Sequence, residues 1–547
     1  WRSATVYEIY VRSFRDEILN DGVGDIPGIT TRLRYIKETL GAGAIWITPF
    51  YESPMRDFGY DVSNYTLVDP RFGTNEDFDE LVERAHNLGL RVIVDIVPNH
   101  CSSDHPWFVA SSASREGPYA DWFVWKDAVD GKPPNNWMSN FGEDEEGNAW
   151  TWSEAREQYY YHKYLPEQPD LNYRSPALLQ AMKDVFRTWL DRGVDGFRVD
   201  ASISLVEDVL FRNEPYNPSW TPEQSPRYKL DHIYTEDVAE THSVLAEFRS
   251  VVDAHNVQQR RKCGRGQDVQ ETVVYCEVSL PLEQAKYYYG TADRPECHMP
   301  TNFALTHLPY PERSASPAEG QERALRKIRT DLTALSKAGT WSGPSILRAI
   351  FESERTVTEN NLEHNASSGA YTMSLAWPNW VLGSHDFTRV ASRIGMGQAR
   401  IGTLLLLTLR GVPTMYYGDE IGMTNVDVPP DQWQDPVAIN NPEQAAEGIV
   451  GRDGERTPMQ WSGERWGGFM DQGSEATPWL PLADNYTTVN VADQLSDRAS
   501  SLDFTRRLLK LRQRTPALSL GGLYAVHMES THLACVVAYS RVWIEQA

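Results

Sequence analysis

Gly196-Phe197-Arg198-Val199-Asp200 is an apolar strand end in which an arginine stands two positions before an aspartate. Side chains alternate along a strand, so Arg198 and Asp200 share one face and the guanidinium can hold the carboxylate ionised for nucleophilic attack. Taken alone, the pentapeptide fits equally well a strand closed by an ordinary ion pair. Two further runs shift that balance. Val273-Val274-Tyr275-Cys276 is closed by Glu277, and Trp380-Val381-Leu382-Gly383 runs into Ser384-His385-Asp386. Apolar runs that end in acids, with helical stretches between them, describe a (β/α)8 TIM barrel, an α/β fold whose catalytic groups sit at the C-terminal ends of the strands.

Working outward, Val6–Tyr10, Ala44–Thr48 and Val92–Val97 read as the first three parallel strands, separated by helical stretches such as Phe78–Leu88. From Cys101 to about Tyr173 the periodicity fails and Gly, Pro, Asn and Trp dominate, as in Lys132-Pro133-Pro134-Asn135-Asn136-Trp137. That stretch is expected to be an irregular inserted domain after strand 3. Helix returns at Ser175–Asp191, with Ser175 as N-cap and Pro176 at the first helical position. Pro413–Tyr417 reads as the eighth strand and Leu502–Arg512 as a late helix. The expected divisions are 1–100 and 174–515 for the barrel, 101–173 for the insertion, and 516–547 for a C-terminal antiparallel β-domain. The last is too short to close a sandwich and reads as truncated.

At 547 residues and 41% apolar content the chain can bury a large core, and its net charge of −24 argues against nucleic acid and anionic membrane surfaces as partners. No apolar run is long enough to span a bilayer. A chain that begins at Trp1 without Met fits a processed or trimmed product. The five cysteines show no C-x-x-C spacing, and their odd number leaves a free thiol or an intermolecular bridge, with the pairing open. The many Trp and Tyr residues suit sugar faces and large cores alike.

Asp95-Ile96-Val97-Pro98-Asn99-His100, the strand Gly196–Asp200, Glu277 and the pair His385-Asp386 resemble, in order and spacing, the signature regions of the α-amylase superfamily of glycoside hydrolases. Asp57-Phe58-Gly59-Tyr60-Asp61, Gln168-Pro169-Asp170-Leu171-Asn172 and Arg456-Thr457-Pro458-Met459-Gln460-Trp461 narrow the match to α-glucosidases of the maltase and oligo-1,6-glucosidase branch. His232-Ile233-Tyr234-Thr235 and Trp377-Pro378-Asn379-Trp380 are most similar to animal maltases. The resemblance extends to about Leu520.

By that resemblance Asp200 is the nucleophile, held ionised by Arg198, Glu277 is the acid/base, and Asp386 is the third carboxylate that grips sugar hydroxyls. His100 and His385 resemble the histidines that hydrogen-bond the same sugar, and Tyr60 offers a stacking face. Asp57 and Arg389 resemble the pair that clamps a terminal glucose, while Phe141 and Tyr164 look like pocket-wall aromatics. The resemblance thus implies a retaining exo-α-glucosidase acting on maltose, sucrose or short malto-oligosaccharides. Ala201 after the nucleophile points to α-1,4 preference. A secreted or extracellular location is expected, with any membrane anchor lying in parts outside this chain.

Calcium is the expected cofactor, with magnesium as the alternative. Asn20-Asp21-Gly22-Val23-Gly24-Asp25 resembles the end of an oxygen-rich cation loop with Asp21 and Asp25 as ligands, although Ile18 and Leu19 stand where polar ligands belong. Asn99, Asp170 and Glu207 match the calcium site beneath the inserted domain of animal maltases, or else form a hydrogen-bonded polar network. Ser384 and Cys101 replace the usual Asn and Thr. The competing readings are a non-catalytic ectodomain related to the heavy subunits of amino-acid transporters, and a transglucosidase or trehalose-forming isomerase. Three intact acids that repel one another favour an enzyme, and the acceptor stays open.

Overall fold

A computed structural model describes residues 1–142, 147–221, 226–263, 270–306, 346, 349–350, 352–354, 376–448, 450–525 and 539–542. Eight parallel strands form the barrel: β1 Val6–Ile9, β2 Ala44–Ile47, β3 Arg91–Ile96, β4 Gly196–Val199, β5 Val273–Cys276, β6 Met299–Pro300, β7 Asn379–Val381 and β8 Val412–Tyr416. β1 pairs with β8 on one side and β2 on the other, and pairing runs on from β2 through to β6. β7 pairs with β8, and the ring closes where the Val381 N–H donates to Asn302 O at 3.3 Å.

The strands are short, apolar and buried on both faces, as a sheet wrapped by helices requires. Their inward side chains stack by register. Ala44, Ile93, Val273, Met299 and Val412 belong to one apolar plug inside the barrel. One pleat higher the residues turn polar: Glu8 lies beside Trp46, Asp95 beside Arg198, and Arg198 beside Tyr275. Gly196 is needed at the narrow point, because a Cβ there would stand 2.9 Å from Val273 Cγ2 and 3.3 Å from Ile93 Cγ1.

The outer helices fall where the periodicity puts them, shifted at their ends. Pro176–Asp191 starts from Ser175 with proline at its first position, though the Ser175 side chain makes no capping bond. Asn75–Asn87 opens on a reciprocal cap between Thr74 and Asp77, and Ser501–Arg514 covers the late helix. The insertion is more regular than expected. It carries the helix Pro106–Ser112 and a three-stranded antiparallel sheet of Trp125–Lys126, Gln158–Tyr161 and Trp150–Ser153. Its own small core is built on Trp137, Trp150 and Tyr161, so the aromatic richness that obscured its periodicity is what packs it.

At the C-terminal end the helix Pro516–Leu520 precedes the strands, with Pro516 at its first position. A two-stranded antiparallel hairpin, Gly522–Ala525 with Tyr539–Val542, follows, and the rest of the expected β-domain lies outside the described residues. Cys276 and Cys297 form a disulfide between the end of β5 and the approach to β6, and Cys101 is a buried free thiol.

Candidate active site

Arg198 ends up at the floor of a cleft over the C-terminal ends of the strands, because β4 carries it in the inward register above the apolar plug. Its Nη1 pairs with Asp200 Oδ1 and stands 3.1 Å from Asp95 Oδ1, while Nη2 reaches Glu277 Oε2 at 3.1 Å. Three carboxylates thus share one buried cation. Glu277 has a second hold, the Ala201 N–H at 2.9 Å. Ala201 sits in the left-handed region, with φ 47°, and this turns the chain away just past the strand end.

The electrostatics follow from that crowding. Burial pushes the Asp200 carboxyl well above the usual carboxylate range; Arg198 opposes the rise, and the charges of Glu277 and Asp95 add to it. Asp95 is likewise pushed up to about 7 by burial, with Arg198 opposing and Glu277 adding. Asp386 behaves in the opposite way. Burial works against its charge, but His385, Arg456, Arg452 and Arg198 together hold its carboxyl below the usual range. Arg456 Nη2 lies 2.9 Å and Arg452 Nη1 3.3 Å from Asp386 Oδ1.

Asp57, Tyr60, His100, Phe141, Tyr164, Asp200, Glu277, His385 and Asp386 all line this cleft. The Tyr60 ring stacks on His385 at 5.6 Å, and its hydroxyl bridges His385 Nε2 at 2.8 Å and Asp95 Oδ2 at 3.2 Å. His100 is tied to Asn99 and Gln168, and burial drives its pKa down to about 3, so the ring is neutral. Ser384, in place of the usual Asn, accepts the Asp386 N–H at 3.2 Å.

The expected partnership of Asp57 with Arg389 is not formed. Arg389 is fully buried away from the cleft; its Nη1 donates to Tyr417 O at 2.7 Å and its guanidinium lies over Tyr416 and Tyr417. Its Nε and Nη2 find no hydrogen-bond partner among the described residues. Asp57 is held instead by Arg452, 2.9 Å from Asp57 Oδ1 and 2.8 Å from Asp435 Oδ1. Arg389 follows the His385-Asp386 pair so closely that it invited the assignment, yet the helix Val390–Ile394 begins there and carries it into the core. Arg452 stands four residues before the Arg456–Trp461 motif, which was the available signal. Asp95 and Glu8 were also passed over, although both sit at inward strand positions.

The two cation sites differ. At Asn20–Asp25 the carboxylates are already engaged by the backbone: Asp25 accepts from Glu17, Ile18 and Gly28, Asp16 from Asn20 and Gly22, and the exposed Asp21 from Val23. That loop therefore fits a cation poorly. Asn99, Asp170 and Glu207 are buried together, with Asn99 Nδ2 3.1 Å from Asp170 Oδ2. Glu207 Oε1 has no partner among the described residues. Burial, then the charge of Glu207, pushes Asp170 up, and burial raises Glu207 to about 7. Asp170 Oδ1 already accepts the Lys163 N–H and Asn99 Oδ1 faces His100 Nδ1, so Glu207 Oε1 is the oxygen of this set that stands without a partner among the described residues and suits a hard cation.

A family model described as the α-amylase catalytic domain matches residues 8–343 and 350–521. Maltase 1 of Drosophila virilis is 38% identical over 94% of this chain and 72% of its own length. The salivary α-glucosidase of Anopheles gambiae is 35% identical over 94% of this chain and 78% of its own length. A crystal structure of an α-glucosyl transfer enzyme superposes with a TM-score of 0.79 at 35% identity, covering 96% of this chain and 87% of that one. The chain belongs to the α-amylase family.

Because Arg389 is packed rather than poised, Arg389→Ala should cost on the order of 2–4 kcal/mol of stability by leaving the Tyr417 carbonyl unpaired beside a void, while the Asp57–Arg452 contact persists. Urea unfolding measures the loss. A variant as stable as the parent would contradict this placement.

Proposed function

We propose that this member of the α-amylase family is a retaining exo-α-glucosidase that releases α-glucose from the non-reducing ends of maltose, sucrose or short malto-oligosaccharides. The observation that carries the reading is the Arg198 guanidinium holding Asp200 and Glu277 on neighbouring nitrogens. Carboxylates placed so close suit double displacement, which needs about 5–5.5 Å between them, rather than inversion at about 6.5–9.5 Å. Asp200 attacks the anomeric carbon while Glu277 gives its proton to the departing glycosidic oxygen. Water then enters, Glu277 takes its proton, the bond from Asp200 to the sugar breaks, and glucose leaves with its configuration retained. Asp386 stays ionised among its arginines and grips sugar hydroxyls as the ring distorts.

The Asp57–Arg452 contact supports exo action, since an ion pair between two residues of the cleft lining suits a wall behind the first glucose. The small Ala201 beside the nucleophile supports α-1,4 preference. Relatives named maltase and α-glucosidase support the substrate class, and the salivary one supports secretion. Among the described residues no helix is long and apolar enough to cross a membrane. The α-glucosyl transfer enzyme keeps transfer to a sugar acceptor in view as a side reaction. A structural Ca2+ would sit at Asn99, Asp170 and Glu207, neutralising two buried carboxylates beneath the insertion.

Asp200→Asn should abolish release of glucose from maltose, because only the carboxylate can form the covalent ester. Glu277→Gln should lose natural substrates far more than aryl α-glucosides, whose leaving groups need little protonation. Equal losses on both substrates would remove Glu277 from the acid role. The acid limb of kcat/KM is set by protonation of Asp200, so it should lie above the ordinary Asp value of about 3.9. Asp95→Asn deletes one of the charges that raise Asp200 and should move that limb to lower pH; an unmoved limb would contradict the shared-cation account. EDTA should lower the melting temperature and Ca2+ restore it, with Glu207→Gln insensitive to both. A chelator-insensitive parent would rule the cation out.

A further inference from the structure

Glu8 lies in the polar upper layer of the barrel with no exposed surface, and it takes no part in the double displacement. Its Oε1 is 2.7 Å from His385 Nδ1 and also accepts the backbone N–H of His385 at 3.3 Å. Its Oε2 has no hydrogen-bond partner among the described residues. A backbone N–H can only donate, so Oε1 is an acceptor; burial pushes the Glu8 carboxyl well above its usual range, and an acid proton placed on the unpartnered Oε2 leaves Nδ1 to donate to Oε1.

The other nitrogen faces the cleft. Nε2 stands 2.8 Å from the Tyr60 hydroxyl and 3.2 Å from Asp386 Oδ2. Burial drives the His385 pKa down to about 3, with Asp386 opposing and Arg456, Arg198 and Arg452 adding, so the ring is neutral. A neutral imidazole has one proton, and here an acceptor waits at each nitrogen. The shorter contact, reinforced by the backbone of the same residue, draws that proton to the Glu8 side.

We propose that Glu8 is a positioning residue that accepts the hydrogen bond of the His385 Nδ1–H and thereby keeps Nε2 an acceptor, toward the Tyr60 hydroxyl and toward a sugar hydroxyl that enters the cleft. The inference rests on reading His385 as a sugar contact in the cleft. With the proton on Nδ1, a sugar hydroxyl can donate to Nε2 while Asp386 remains free for another. Without Glu8 the proton moves to Nε2, which then donates a hydrogen bond to Asp386 Oδ2, and the two groups that should hold the sugar satisfy each other instead. Glu8 acts at one remove, as carboxylates behind functional histidines do.

The test compares maltose kcat/KM for Glu8→Leu and Glu8→Gln, each made in the parent and in His385→Ala. Glu8→Leu should lower kcat/KM about 10- to 100-fold in the parent, the range for loss of a group that orients a functional histidine. In His385→Ala the same change should matter by less than about 2-fold. Glu8→Gln, its carbonyl kept toward His385 by the backbone N–H, should change kcat/KM little relative to its own background, parent or His385→Ala. If melting curves show that the Leu variant does not fold, Glu8→Met carries the same comparison. Equal fold-losses in the two backgrounds, or a Leu variant with parental activity, overturn the role of Glu8. A parent that leaves maltose and aryl α-glucosides uncut contradicts the reading of the site itself.

Discussion

One buried guanidinium, that of Arg198, bears the charge of three carboxylates, and most of the molecule is arranged to make that possible. A cation at that depth is tolerable only when it is paired and hydrogen-bonded. β3 supplies Asp95 directly across the register, β4 supplies Asp200 on the same face, and β5 delivers Glu277 one residue beyond its strand. The apolar plug below excludes water from the underside, and the insertion covers part of the mouth with Phe141 and Tyr164.

The acids of the cleft are sorted by how many cations each commands. Burial pushes the Asp200 and Asp95 carboxyls up, and Arg198, shared among Asp200, Glu277 and Asp95, opposes that rise only in part. Asp386 has Arg452 and Arg456 within ion-pair reach and stays charged. That division separates a cluster suited to proton and glucosyl transfer from one suited to gripping hydroxyls, a separation of environments by which one fold runs acid and nucleophile chemistry together. Arg452 extends the gripping cluster, since it also holds Asp57.

The barrel was legible because its strands are apolar runs, three of which run into acids, and the family motifs supplied the order. β6 escaped detection because it is two residues long and includes Pro300. The insertion looked irregular because its strands are short and its core is aromatic, so neither period shows. Within the site, the residues carried by the family motifs and by the insertion's aromatics were legible, and Arg452, which stands outside those motifs, was not. Arg452 comes from a loop far along the chain from Asp57, and only the folded backbone reveals that Arg389 points into the core instead. Glu8 and Asp95 were visible as inward strand positions, but their meaning depends on what the neighbouring strand places beside them.

The central claim, that the carboxylate held by Arg198 becomes covalently bonded to the sugar, is tested most directly by trapping the intermediate with a fluorinated glucosyl fluoride and locating the label by peptide mass spectrometry. The account predicts a single glucosyl ester on the peptide that carries Asp200, together with release of product in the α configuration. A label on another residue, or release of β-glucose with no trapped ester, would contradict it.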